Sequence, residues 1–83
     1  MLLGQQVNGI VVDEITKMPI VNASVNASGI TVLTSSTGSF QLNNVGFGET
    51  VIISHIGYQS YTFKHLVSRV DTLKILLKNE SVA

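Results

Sequence analysis

Val51–Tyr58 reads V-I-I-S-H-I-G-Y, a run of branched and apolar side chains broken by Gly57 just before an aromatic. Branched residues fit a pleated, half-buried surface, so the run is expected to be a central strand of a β domain. Gly57 allows a bend or bulge at its end that the branched residues could not adopt. The rest of the chain reads as shorter strands laid around this one.

Toward the N-terminus, Ile20–Ser28 alternates most cleanly, with Val21, Ala23, Val25 and Ala27 against Asn22, Ser24, Asn26 and Ser28. One small apolar face and one polar face are what a sandwich strand with a wet outer side needs. The small inner face is expected to receive bulky neighbours, Phe40 and Phe47. Gln6–Asp13 alternates imperfectly, and Ile10-Val11-Val12 is apolar on both parities, so this strand should be covered on both faces near its end. Asp13–Pro19 is a loop, and Pro19, the only proline, pushes residue 18 into extended conformation. Gly29 is a turn, Ile30–Thr34 a short strand, and Ser35-Ser36-Thr37-Gly38 a second turn, with glycine supplying positive φ. Ser39–Asn43 returns with Phe40 and Leu42 inward, and Asn44–Glu49 is a loop. After Gly57, Tyr58–His65 is a strand with Tyr61 and Phe63 on one parity. Leu66–Val70 reads as a connection with room for a helical turn. Asp71–Lys78 is the last strand, with Leu73, Ile75 and Leu77 on one side. Seven short strands without a useful helical period give an all-β fold, a seven-stranded antiparallel Greek-key sandwich spanning residues 6–78.

An 83-residue chain holds one small core, and burial of only roughly 60–65% of the unfolded surface implies modest stability. Five basic and five acidic residues are scattered and sum to zero, so no patch neutralises several phosphates and nucleic acid is not an expected partner. An anionic membrane surface is disfavoured for the same reason. Charged residues are only 12% of the chain, so either Ser, Thr and Asn dominate the surface or part of it is covered in a parent protein. With no cysteine there is no disulfide or thiolate chemistry. No apolar run approaches the ~20 residues of a spanning helix, and direct membrane insertion is not expected. Met1–Gln5 reads either as the end of a signal peptide's apolar region or as an ordinary frayed start. Residues 79–83 read as a tail or the start of a linker to a further domain.

In that order and spacing, V-N-G-I-V-V-D (Val7–Asp13), T-K-M-P-I-V-N-A-S-V (Thr16–Val25), T-G-S-F-Q-L (Thr37–Leu42) and I-S-H-I-G-Y (Ile53–Tyr58) resemble the carboxypeptidase regulatory-like domain. The resemblance covers residues 6–77 and implies a prealbumin-like (transthyretin-like) sandwich without catalytic site, cofactor or metal. It is nearest to the version common in exported proteins of Bacteroidetes-type bacteria, where the domain often precedes a TonB-dependent outer-membrane receptor or another surface protein. Gly9, Pro19, Gly38, Phe40, Ser54, Gly57 and Tyr58 fall on its motifs and read as fold determinants, with the Tyr58 ring inward and its hydroxyl partnered. Three departures stand out. Lys17 occupies a usual glycine position, so that turn is expected to use another geometry. Asn22 also replaces a frequent glycine, and asparagine is the next best residue for left-handed backbone. Ser35 and Ser36 stand where an acidic residue often precedes the hairpin, which puts a cation site there in doubt.

His55, Tyr58, Tyr61 and His65 comprise two tyrosines and two histidines, the ferric ligand set of the intradiol dioxygenases, which share a prealbumin-like core. On an unbroken strand Tyr61 and His65 lie about 13 Å apart at ~3.3 Å per residue. Metal–nitrogen bonds are about 2 Å, so a metal enzyme built on His55, Tyr61 and His65 is only a remote alternative. The transthyretin-like hydroxyisourate hydrolases are excluded, because Arg69 is the only arginine and the tail reads N-E-S-V-A. Ser54 and His55, adjacent on a strand, should face opposite ways and cannot form a nucleophile–base pair. Asn22-Ala-Ser24, Asn26-Ala-Ser28 and Asn79-Glu-Ser81 match the glycosylation triplet, but such matches arise easily in an Asn- and Ser-rich chain.

The expected function is therefore a non-catalytic accessory or interaction module of an exported bacterial protein, a spacer or docking domain in the periplasm or at the outer membrane or cell surface. Its expected partner is the remainder of a larger parent protein or a cell-envelope protein. The alternative is a surface module binding glycan, or binding peptide by strand addition at an edge such as Ile30–Thr34. The low aromatic content, 6% with no Trp, weighs against glycan.

Overall fold

The structure, a computed structural model, describes residues 5–27, 29–65 and 72–80. Seven strands form two sheets: β1 (Gln5–Asp13), β2 (Ser24–Ala27), β3 (Ile30–Leu33), β4 (Ser39–Val45), β5 (Thr50–Ser54), β6 (Tyr61–Lys64) and β7 (Leu73–Leu77). One sheet runs β4-β1-β7 and the other β3-β2-β5-β6. No helix occurs among the described residues. The two-residue alternation is what builds the layers. Val7 and Val11 of β1, Phe40 and Leu42 of β4, Ile75 and Leu77 of β7 face Val25 and Ala27 of β2 and Val51 and Ile53 of β5, all buried. Burying a side chain of this size contributes about 1.5–3 kcal/mol, so these positions hold the layers together.

The stretch Val51–Tyr58 is central, as expected, but only its first half is strand. β5 lies between β2 and β6 and stops at Ser54. Beyond it the chain makes a tight turn closed by the Tyr58 amide on the His55 carbonyl (3.0 Å), with Gly57 at φ 87°. That third turn position requires positive φ, which glycine adopts without steric cost. β6 accordingly starts at Tyr61, three residues later than the alternation implies.

The two-residue pattern misleads again at Ile20–Ser28. Asn22 takes φ 63° and reverses the chain, so β2 begins only at Ser24. Ile20 instead of Val21 enters the core, and Val21 is left 47% exposed. Thr34 secures this kink: its hydroxyl donates to the Ile20 carbonyl (2.6 Å) and accepts from the Ala23 amide (2.8 Å), buried between them. Lys17 does not use another geometry. It adopts the left-handed conformation itself, at φ 64°. Phe47 does not pack on the small inner faces either. β4 runs on to Val45, and a turn in which Glu49 Oε1 accepts from the Gly46 amide (2.6 Å) puts Phe47 at a loop tip, 79% exposed.

One strand pair departs from an all-antiparallel arrangement. β7 runs parallel to β1, in register from Gly9↔Leu73 to Asp13↔Leu77. β6 sits at the edge of the other sheet, so β7 enters its own sheet by a crossover rather than a hairpin, and hairpin direction no longer applies. The double cover expected at the end of β1 is present at Val12, 5% exposed and bridged by Pro19, whereas Ile10 is partly open. The expected connection Leu66–Val70 and the outer parts of both termini lie outside the described residues.

Candidate functional site

Strand direction collects loops at two ends. Asp13 pairs with Leu77, Ser24 with both Leu33 and Ser54, and the Gly38 carbonyl accepts from the Val11 amide (2.8 Å). The β1–β2 loop, the β3–β4 turn, the β5–β6 connection and residues 78–80 therefore share one end. The β2–β3 turn and the β4–β5 loop share the other.

Asp13 organises the first end. Its Oδ1 accepts from the amides of Ile15 (2.7 Å) and Thr16 (2.9 Å), which shapes the β1–β2 loop. Its Oδ2 accepts from the Tyr58 hydroxyl (2.7 Å), which ties that loop to the β5–β6 connection 45 positions away. The Thr16 amide, then the Tyr58 hydroxyl and the Ile15 amide, favour the charged carboxylate and hold Asp13 below its ordinary range. The Asp13 hydrogen bond, with some desolvation, pushes the Tyr58 phenol up. The Tyr58 ring packs against the core from outside, and the His55 ring meets it edge-on at 5.7 Å.

Beside this latch lies a shallow groove of about 460 Å³, lined by Asn22, Ser24, Ser54, His55, Ile56, Tyr58 and Ser60. Ser54 and His55 both line it, contrary to strict alternation, because the strand ends between them. No hydrogen bond joins the pair among the described residues; His55 Nδ1 lies 2.8 Å from the Ile56 carbonyl. That carbonyl only accepts, so Nδ1 carries the proton and Nε2 is the acceptor in neutral imidazole. The groove is neutral and open, without a positioned base–nucleophile pair.

The four aromatic and imidazole residues singled out in the sequence are not brought together. In the β5–β6 hairpin, Ile53↔Tyr61 marks one end and Thr50↔Lys64 the other. His55 lies past the first. His65 lies past the second, where its amide donates to the Glu49 carbonyl (2.8 Å). Tyr58 is committed to Asp13, and the Tyr61 ring leans on Phe63 at 6.0 Å. Among the described residues no group of three or more His, Asp or Glu could hold a metal ion.

The fold determinants sit where the backbone needs them. Gly9 pairs with Phe40, whose ring lies over it: a Cβ at Gly9 would meet ring carbons at 2.4 Å. Gly38, at φ 79°, presses on the Val11 carbonyl and Pro19, so a Cβ there would meet that oxygen at 2.5 Å. Ser54 is the last residue of β5 and pairs with Ser24. Asp13 and Thr34 were not singled out by sequence. An aspartate opening a loop, ready to accept amides two and three residues on, is a legible signal for the first. Nothing local announces the second.

Two layers of short strands, with the last strand running parallel to the first, define a prealbumin-like β-sandwich. The family model for the CarboxypepD_reg-like domain matches residues 7–83, and the chain belongs to that family. Among solved structures, a streptococcal ancillary pilin has the same fold, with TM-score 0.62 and 17% identity. The match covers 95% of this chain but 30% of the pilin chain, so this chain spans under a third of that protein. No curated protein matches the chain.

Proposed function

We propose that this domain is a non-catalytic accessory module of an exported bacterial protein, serving as a spacer or docking unit in the periplasm or at the outer membrane or cell surface. The observation that carries the reading is how the polar residues at the loop end are used. Asp13, Thr34 and Tyr58 are spent on holding loops in place, and the neutral groove beside them has no organised reactive group. The family match over residues 7–83 supports a regulatory-like rather than a catalytic domain. The resemblance to the Bacteroidetes form supports a parent such as a TonB-dependent receptor, and the match to only 30% of the ancillary pilin chain is in keeping with a module of a longer protein. Fractionation of cells carrying a tagged full-length gene product tests this. Recovery with the cell envelope is expected, and recovery in the cytosol refutes it.

A second reading, peptide capture by strand addition, is favoured by one observation. β3 is an edge strand of four residues with Ile30 48% and Leu33 58% exposed. An open edge of this kind offers unpaired amides and carbonyls to an extended segment. Backbone protection of Ile30–Leu33 from hydrogen exchange on adding envelope peptides would support it, and unchanged exchange at millimolar peptide rules it out.

A further inference from the structure

The large apolar side chains left in solvent are unevenly placed. Ile15 (77% exposed), Met18 (63%), Val21 (47%) and Ile56 (91%) all sit on loops at the Asp13 end. The other end presents Phe47 at a loop tip and Ile30, 48% exposed, where β3 begins. Single exposed apolar residues need no explanation, but several loop tips converging on one end mark an interaction surface. The loops that carry them are held in place: the Asp13–Tyr58 bond joins the loop of Ile15 and Met18 to the turn of Ile56. Asn22, next to Val21, lines the same groove as Ile56. The charged residues at this end, Asp13, Glu14 and Glu80 against Lys17 and Lys78, leave one net negative charge. The surface is therefore apolar with no excess of positive charge, which disfavours nucleic acid or an anionic membrane as its cover.

The path of the chain identifies the occupant. After β7 the backbone does not turn away but pairs with the β5–β6 connection: the Gln59 amide donates to the Lys78 carbonyl (2.8 Å), and the Glu80 amide to the Gly57 carbonyl (2.9 Å). Glu80 is thereby held beside Gly57, the neighbour of Ile56. Residues 81–83 can reach at most about 10 Å even when fully extended. Whatever follows in the polypeptide enters next to the exposed apolar tips.

We propose that the Asp13 end is the seat of the polypeptide that follows this domain in its parent protein, packed on Ile15, Met18, Val21 and Ile56. The inference rests on the reading of the domain as a module of a larger protein. It adds which surface docks and to what. The segment that covers it should present apolar side chains, and the sandwich would then be held at a set angle rather than tethered loosely.

Hydroxyl-radical footprinting of the full-length parent protein tests this, with Phe47 as the internal reference because it is as exposed here as Ile15. After correction for intrinsic reactivity, Ile15, Met18 and Ile56 are expected to label several-fold less than Phe47. Ile56→Asp in the parent should restore labelling at Ile15 and Met18, and since Ile56 touches solvent the variant should keep its far-ultraviolet spectrum. Equal labelling of all four sites in a longer protein overturns the inference and leaves the module reading standing. Protection that disappears on dilution assigns the surface to a second copy and likewise overturns it. A reading frame that stops at Ala83 overturns the module reading, and this inference with it.

Discussion

Replacing Gly9 by alanine adds one methyl group on β1 directly under the Phe40 ring of β4. Gly9 pairs directly with Phe40, and the new Cβ would lie 2.4 Å from both Cε2 and Cζ of the ring and 3.2 Å from the Leu73 carbonyl oxygen. Carbon atoms in good contact sit at about 3.5–4.0 Å, so the ring must retreat by roughly 1 Å or more. It has little room, because Phe40 is 6% exposed and belongs to the core. Overpacking of this kind costs about 1–3 kcal/mol. Loss of glycine's unfolded-state freedom offsets about 0.5–1 kcal/mol of that. A net destabilisation of about 1–2 kcal/mol lowers Tm by roughly 4–16 °C in a domain of this size. Urea unfolding followed by tyrosine fluorescence measures it, and Phe40→Leu supplies the control. With the ring gone, Gly9→Ala should cost almost nothing, which gives a coupling energy of about 1 kcal/mol or more in the double-mutant cycle. A Gly9→Ala protein as stable as the parent, or coupling within about 0.5 kcal/mol of zero, refutes the ring-over-glycine account.

The other predictions concern the loop end. Thr34→Val keeps the side chain's shape but strands the Ala23 amide and the Ile20 carbonyl, and should cost about 1–3 kcal/mol in urea unfolding. A folded-state Asp13 pKa below its ordinary 3.8 means that the stability contribution is complete above that value and is lost as pH falls through the depressed folded value. Acid titrations of Tm should therefore show a limb below pH 3.8 that flattens in Asp13→Asn. For Tyr58 the folded pKa lies above 10.0, so its contribution is intact below pH 10.0 and declines as pH rises through the raised folded value. Tyr58→Phe should remove that alkaline limb and weaken the acid one, and unchanged limbs would break the link to Asp13. Lys17→Gly relieves a left-handed backbone and should leave stability equal or raise it by up to about 1 kcal/mol, whereas Lys17→Val should lower it; calorimetry reads the sign.

Much was legible in the residues themselves. Alternation at Val25 and Ala27, Phe40 and Leu42, Ile75 and Leu77 marked the core because a pleated chain can only send every second side chain inward, and the branched run from Val51 marked the central strand. Gly38 marked a turn, Gly57 a break in the backbone, Asn22 a left-handed position, and the motif order marked the family. The failures lie where alternation stops. Ile20 replaced Val21 in the core, Phe47 went to solvent, and Ser54 and His55 reached one groove, each because a backbone reversal reset which way the next side chain points.

The amino-acid order by itself determined that two apolar-faced layers would form, since the inward residues recur at a spacing only strands can use. Tertiary structure alone decided that β7 lies parallel beside β1, that Asp13 meets Tyr58 across 45 positions, and that the exposed loop tips share an end with Glu80. The reason is physical: local side-chain preferences act over a few residues. The pairing of distant strands follows from how the whole apolar interior closes.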